Sequence, residues 1–316
     1  MTEYTLEPEA RSFARAAGEP PALIERGVEG ARRLLDEVQS EPVDMPAVDA
    51  EWITVPADVG DVPVRIVRPA AATGSLPVVL YVHGGGWVLG NAGTHERLVR
   101  ELATGAGAAV VFVEYSRSPE VKHPVAIEQA YATARWVAEK GAEKGLDASR
   151  MAVAGDSVGG NMAAVLAILA KQRGDVSFLH QSLYYPVTDA RMDTASYREF
   201  ATGFHLRADA MAWFWDHYLP DVDARADVTA SPLQATRDDL EGLPDAFVVV
   251  GENDVLRDEG EAYGRKLIEA GVRTVLVRYD ATIHDFMMLN PLRTSAATTA
   301  AIDQAVHVLR AAFVGD

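Results

Sequence analysis

The feature that most constrains this chain is a rhythm of short, continuous apolar runs separated by longer stretches whose apolar residues recur every three or four positions. The runs are Val78 to Val82, Ala109 to Val113, Met151 to Ala154, Ser182 to Tyr185, Ala246 to Val250 and Val272 to Val277. Most are continuous rather than alternating, as expected of strands covered on both faces. Helical spacing falls at about 94–105, 124–143, 158–172 and 259–270, with a last stretch near 295–313. This alternation predicts an α/β fold, a mainly parallel sheet wrapped by helices, because each parallel crossover needs a segment that carries the chain back. Ahead of it, Glu51 to Val55 and Val62 to Val67 predict a strand pair joined by a Gly-Asp turn.

Two stretches stand outside the rhythm. From Pro20 to Val38, the residues Ile24, Val28, Ala31, Leu35 and Val38 share one helical face, and a Pro-spaced stretch from Glu41 to Val48 separates them from the first strand. Residues 1–48 are therefore expected to form an N-terminal helical arm, which packs over the main body as part of a cap or covers one edge of the sheet. The second stretch, Thr188 to Pro232, is too long for a plain crossover and carries Phe200, Phe204, Trp213, Phe214, Trp215 and Tyr218. It predicts a cap insertion at about 188–232, with a helix near 208–218, inside a main domain of residues 49–316. A chain of 316 residues fits one such domain with an elaborated lid.

Composition removes several classes of function. Lys and Arg number 29 against 46 Asp and Glu, a net charge of −17 that repels phosphate backbones and anionic lipid head groups. No nucleic-acid partner is expected. The opening Met1-Thr2-Glu3-Tyr4-Thr5-Leu6-Glu7 lacks the basic and apolar regions of a secretion signal, and no apolar run approaches the ~20 residues that span a bilayer. The expectation is a cytoplasmic protein without stable membrane insertion. With 0 cysteines, disulfides, thiolate metal sites and a cysteine nucleophile are excluded. There is no G-x-G-x-x-G, Walker-type or H-E-x-x-H pattern, so neither a cofactor nor a metal is expected.

The chemistry concentrates in three places. Gly155-Asp156-Ser157-Val158-Gly159 follows the strand Met151 to Ala154 and opens the next helix, the strand-turn-helix setting that a G-x-S-x-G motif requires. Chance alone gives the pentapeptide in under roughly one chain in ten, so the setting carries the weight. A serine hydroxyl is a weak nucleophile until a base, usually a neutral histidine oriented by a carboxylate, stands within hydrogen-bonding reach. In chain order Ser, acid, His, the base comes from His284 or His307. His307 lies within the last helical pattern, whereas His284 lies in a short loop after the strand Val272 to Val277. Four carboxylates follow the strand Ala246 to Val250: Glu252, Asp254, Asp258 and Glu259. Asp258 and Glu259 fall where a helix starts and suit capping there. Asp254 is chosen, with Glu252 in reserve. Finally, His83-Gly84-Gly85-Gly86 follows the strand Val78 to Val82, where glycines let backbone N–H groups approach a developing oxyanion. Gly84 and Gly85 are the expected donors, joined by the N–H of Val158, while His83 braces the loop.

These segments resemble the hormone-sensitive-lipase-like esterases, the bacterial family IV carboxylesterases of the α/β-hydrolase superfamily. The landmarks are His83-Gly84-Gly85-Gly86-Trp87, Tyr115-Ser116-Arg117-Ser118-Pro119-Glu120, Gly155-Asp156-Ser157-Val158-Gly159-Gly160-Asn161, Asp254-Val255-Leu256-Arg257-Asp258-Glu259-Gly260 and His284-Asp285-Phe286. The resemblance implies an eight-stranded, mostly parallel sheet with a helical cap, no cofactor, hydrolysis of short- to medium-chain esters, and pairing into a homodimer. It carries over Ser157, Asp254 and His284 as triad and Gly84, Gly85 and Val158 as oxyanion donors. Trp87, Phe200, Phe204, Trp213 and Phe214 are the aromatics expected at the substrate. The chain departs from the family at Val158, where Ala is usual, at Ser116-Arg117-Ser118 in place of Arg-Leu-Ala, and at Asp285, where Gly is common. The charge of Asp285 raises the pKa of His284 unless hydroxyl or amide contacts offset it. An amidase, peptidase or lactonase would use the same triad, and a non-catalytic receptor would be free to lose it.

Overall fold

The computed structural model describes residues 4–314. Its eight strands are β1 (Val48–Val55), β2 (Val62–Pro69), β3 (Leu76–Val82), β4 (Ala109–Val113), β5 (Leu146–Asp156), β6 (His180–Tyr184), β7 (Asp245–Asn253) and β8 (Thr274–Ile283). They form one sheet in the order β1-β2-β4-β3-β5-β6-β7-β8. β2 is antiparallel to both β1 and β4, and every pairing from β4 onward is parallel. Each apolar run identified in the sequence overlaps a strand, with Tyr185 just past β6 and Val272 and Arg273 ahead of β8. β4 and β6 are buried at every position; β4 is apolar throughout, whereas β6 buries His180, Gln181 and Ser182.

The helices are α1 (Pro8–Ala17), α2 (Gly27–Val38), α3 (Glu96–Ala106), α4 (Val125–Lys140), α5 (Val158–Arg173), α6 (Ala195–Glu199), α7 (Ala208–Tyr218), α8 (Arg237–Leu240), α9 (Arg257–Glu269) and α10 (Ala296–Val314). α3 packs with α10 and α4 with α5, giving the helical layers over the sheet. α5 is buried from Val158 to Ala170 on every side, so it has no polar stripe. It lies so close to β3 that a Cβ added at Gly159 would stand 2.0 Å from the carbonyl oxygen of Val82.

A helical cap covers the C-terminal ends of the central strands, built from α1, α2, the insertion helix α7 and their connections. α7 occupies the segment expected from the sequence. The arm differs. The spacing from Pro20 to Val38 predicts one helix, but Gly27 takes φ 64° and splits it into a 3₁₀ turn, Leu23–Arg26, and α2. α1 precedes them and buries little besides Ala10 and Ala14, too thin a stripe to register as periodicity. β8 also runs on to Ile283, past a register shift opposite Gly251 and Asn253 and a left-handed residue at Ala281 (φ 58°). Among the described residues no helix is long and apolar enough to cross a membrane.

Candidate active site

A sharp turn joins β5 to α5. Ser157 sits there at φ 53° and ψ −120°, outside the conformations that a side chain ordinarily allows. Its N–H donates to the carbonyl of Tyr184 at 2.8 Å. The turn closes because its flanks lack side chains: a Cβ on Gly155 would lie 2.3 Å from the carbonyl oxygen of Gly159. The serine hydroxyl is thereby held up at the end of the sheet, with the residue only 4% exposed.

Two later strands bring the partners. His284 directly follows the extended end of β8, rather than lying in a loop after Val277, and its Nε2 is 2.9 Å from Ser157 Oγ. Its Nδ1 is 2.6 Å from Oδ2 of Asp254, which lies just beyond β7, and the other Asp254 oxygen accepts the N–H of Leu256 at 2.9 Å. The other three carboxylates are engaged elsewhere. Glu252 accepts the N–H of Ala281 at 2.7 Å and braces the β8 irregularity. Asp258 accepts the N–H of Ser196 at 2.8 Å, and the buried Glu259 accepts that of Thr188 at 2.6 Å. Both tie the insertion to α9, a role beyond the helix capping expected of them.

The glycine loop after β3 corrects one expectation. The N–H of Gly84 points away from the substrate side and donates to Asp156 Oδ1 at 3.0 Å, so it is not available to an oxyanion. Gly85 and Gly86, at φ 105° and 64°, instead line a cavity with Ser157. Val158 opens α5, where the first N–H groups have no partner within the helix. Asp156 is the anchor of this arrangement. Besides Gly84 it accepts the hydroxyl of Tyr81 at 2.7 Å and faces His95 Nε2 at 3.1 Å. His83 Nδ1 donates to the Gly84 carbonyl at 2.7 Å, and its ring stacks on Tyr115 at 4.1 Å. Burial, then the neighbouring His95, pushes the His83 pKa well below its ordinary value. It stays neutral and acts as a brace.

The electrostatics around His284 are set by two carboxylates. Burial lowers its pKa, but Asp254 and then Asp285 outweigh this and raise it to about 9. Asp285 Oδ1 lies 3.3 Å from His284 Nε2, and its other oxygen lies 3.3 Å from Nε2 of His205, a residue of the cap insertion. Tyr185 presents its ring to the imidazole at 5.0 Å, nearly edge-on.

Above this row lies a cavity of about 260 Å³. The arm contributes Phe13, Leu23, Leu35 and Val38, and the insertion contributes Leu206, Met211 and Phe214. Of the five aromatics expected at the substrate, Phe214 lines the cavity and the other four do not. Trp87 is fully buried, stacked on Tyr218 at 4.0 Å and packed on Trp215 at 4.7 Å, where it clamps α7 to the oxyanion loop. Phe200 and Phe204 pack on each other at 5.1 Å and on Tyr4, with the Arg257 guanidinium 4.9 Å over Phe200. Trp213 packs on His217 at 4.2 Å. Among the described residues no group of three or more His, Asp or Glu is placed to hold a metal.

A hydroxyl, an imidazole and a carboxylate in one hydrogen-bonded row, under a cap and beside inward-facing glycines, define a serine hydrolase. Known proteins place it further. Residues 79–288 match a family described by its alpha/beta hydrolase fold. The chain is 40% identical over 289 residues to the carboxylesterase NlhH of Mycobacterium tuberculosis, covering 89% of this chain and 90% of that one. It is 34% identical to an ethyl acetate hydrolase of Pseudomonas putida, covering 88% and 89%. A thermostable esterase from Pseudomonas putida superposes with a TM-score of 0.97 at 45% identity, covering 100% of both chains. The chain belongs to this family: it is an α/β-hydrolase-fold carboxylic ester hydrolase, related to the bacterial hormone-sensitive-lipase-like esterases.

Proposed function

We propose that the protein hydrolyses carboxylic esters of short to medium acyl chain through an acyl-enzyme on Ser157. The observation that carries this reading is the unbroken row Ser157, His284, Asp254, at 2.9 and 2.6 Å, on the floor of the capped cavity. Ser157 Oγ attacks the ester carbon while His284 Nε2 takes its proton, and Asp254 holds the imidazole in the required tautomer. The carbonyl oxygen gains negative charge against the N–H groups of Gly85, Gly86 and Val158. His284 then hands the proton to the alcohol oxygen as the C–O bond breaks. Water, deprotonated by the same imidazole, attacks the acyl-enzyme and releases the acid.

A compact substrate is supported by the cavity, whose 260 Å³ lies just under the ~300–1,000 Å³ common for small-molecule sites. The division into an arm of residues 1–48 and an insertion at about 188–232 is supported by the apolar walls both contribute. The absence of a nucleic-acid partner is supported by the net charge of −17, which repels phosphate backbones. The test is a nitrophenyl-ester series from acetyl to palmitoyl. Turnover is expected to peak among the shorter acyl groups and to vanish in Ser157→Ala; near-wild-type turnover by that variant removes Ser157 from its role.

A further inference from the structure

The cavity wall is largely apolar, and a carboxylate lies close to the reacting atoms. Asp285 stands there with its side chain 17% exposed, held from both sides. Oδ1 is 3.3 Å from Nε2 of His284, the nitrogen that also faces Ser157 Oγ. Oδ2 is 3.3 Å from Nε2 of His205, whose ring packs on Phe13 of the arm at 5.1 Å. Among the described residues no Lys or Arg pairs with Asp285; its partners are the two imidazoles. The other charged groups around the cavity lie toward its rim. Glu19, Arg26 and Asp209 are exposed, and Arg207 pairs with Asp209 at 2.9 Å.

This position fixes which part of a substrate meets the carboxylate. In ester cleavage the departing alcohol oxygen must come within hydrogen-bond reach of the imidazole nitrogen that protonates it, which here is His284 Nε2. Asp285 adjoins that nitrogen, so the alcohol portion leaves alongside it while the acyl portion stays on Ser157. A negative charge on the alcohol would face a carboxylate whose side chain is only 17% exposed. A positive charge would find it as its counter-ion.

We infer that Asp285, held by His205 of the cap, is a specificity-determining residue that selects esters with a cationic alcohol portion and rejects those with an anionic one. Backbone geometry makes the residue open to test, because Asp285 takes φ 63°, a conformation in which glycine is at ease. Asp285→Gly therefore removes the charge without adding strain, and Asp285→Asn removes it while keeping the shape.

The inference rests on the ester-hydrolase reading, and the experiment separates the two. Butyrate esters are compared at one pH in matched pairs: choline against its neutral isostere 3,3-dimethylbutanol, and glycolate against propanol. The wild type is expected to show kcat/KM about tenfold higher for the cation than its isostere, and about tenfold lower for the anion than propyl butyrate. In both variants each ratio is expected to fall to within about twofold of one. Wild-type ratios already near one, or ratios that persist in both variants, overturn the inference and leave the esterase reading standing. Failure of the wild type to hydrolyse propyl or 3,3-dimethylbutyl butyrate overturns both.

Discussion

Replacing Asp285 by asparagine tests how the site sets the protonation of its base. His284 is raised to about 9 because Asp254 and Asp285 outweigh the burial that disfavours its charge. Only the neutral imidazole accepts the serine proton, so kcat/KM of the wild type is expected to rise about tenfold per pH unit below the pKa and to level off above about 9. At the 3.3 Å between Asp285 and His284, a pair of unit charges is worth about 1 kcal/mol in water and about 5 kcal/mol at an effective dielectric of 20. Asp285 borders a solvent-reached cavity and is shared with His205, which places its effect toward the lower end. The acidic limb of the Asn variant is then expected to move down by roughly one to two pH units. Its alkaline plateau falls as well, since the imidazolium of the transition state loses a counter-charge. Initial rates across pH on a neutral ester measure both. A limb unmoved in Asp285→Asn refutes the argument that this carboxylate acts on the base. The sign for stability is opposite to that for activity. A histidine raised on folding stabilises the fold fully below its ordinary 6.5, and this contribution, on the order of 3 kcal/mol, is lost as pH rises through about 9. Thermal unfolding across that window is expected to show stability declining where activity rises.

Three further outcomes follow from the geometry. Asp156→Ala leaves the N–H of Gly84, the hydroxyl of Tyr81 and His95 without their common acceptor, so the oxyanion loop is expected to shift and kcat to drop by roughly 10²-fold or more, with a smaller change in KM; an unchanged kcat in single-turnover assays would contradict it. Phe214→Ala opens space beside Gly86, where an added Cβ would already meet the ring at 2.2 Å, and is expected to move the nitrophenyl-ester optimum toward longer acyl chains. Trp87→Ala empties a fully buried site between Trp215 and Tyr218 and is expected to destabilise the fold by about 3–5 kcal/mol in denaturant titration, although Trp87 does not line the cavity above Ser157.

What the sequence revealed depended on whether the deciding interaction was local. Ser157 was legible because strand, glycine turn and helix are contiguous, and His284 and Asp254 because each follows a recognisable strand. The direction of a single N–H was not. Gly84 and Gly86 are alike in sequence, and the difference arises from Asp156, 72 residues from Gly84 along the chain, which takes the first glycine as a donor. The cap aromatics were ambiguous for a related reason: an apolar side chain satisfies the same burial whether it faces a core or a cavity. Trp87, Phe200 and Phe204 went to core packing, and aliphatic residues of the arm took much of the cavity wall. The length of β8 was hidden because it is the last strand of the sheet, and its outer half, through Arg278 and Asp280, is partly exposed and polar. His205 gave no signal, since its meaning comes from Asp285, 80 positions away.

Backbone strain follows the same boundary between the fold and its site. Seven described residues other than glycine have positive φ, and five of them, Trp87, Ser157, Tyr185, Ala281 and Asp285, lie in the row or on the segments that carry and brace it. Such conformations cost of order 1–3 kcal/mol each and persist only where the surroundings over-determine them. Here the surroundings do: Ser157 N–H is tied to Tyr184, Tyr185 N–H to Val249 at 2.6 Å, and Trp87 is locked between two aromatic rings. The strain at Asp285 is the informative case. Glycine there would relieve it, so a carboxylate at that position opposes local stability, and the geometry connects it to the base, the departing alcohol and the cap at once. Above about pH 9, where His284 is neutral and its ion pair with Asp285 no longer stabilises the fold, Asp285→Gly is thus expected to raise the melting temperature while erasing charge selection among alcohols, and a variant that lost stability there would place Asp285 with the packing residues instead.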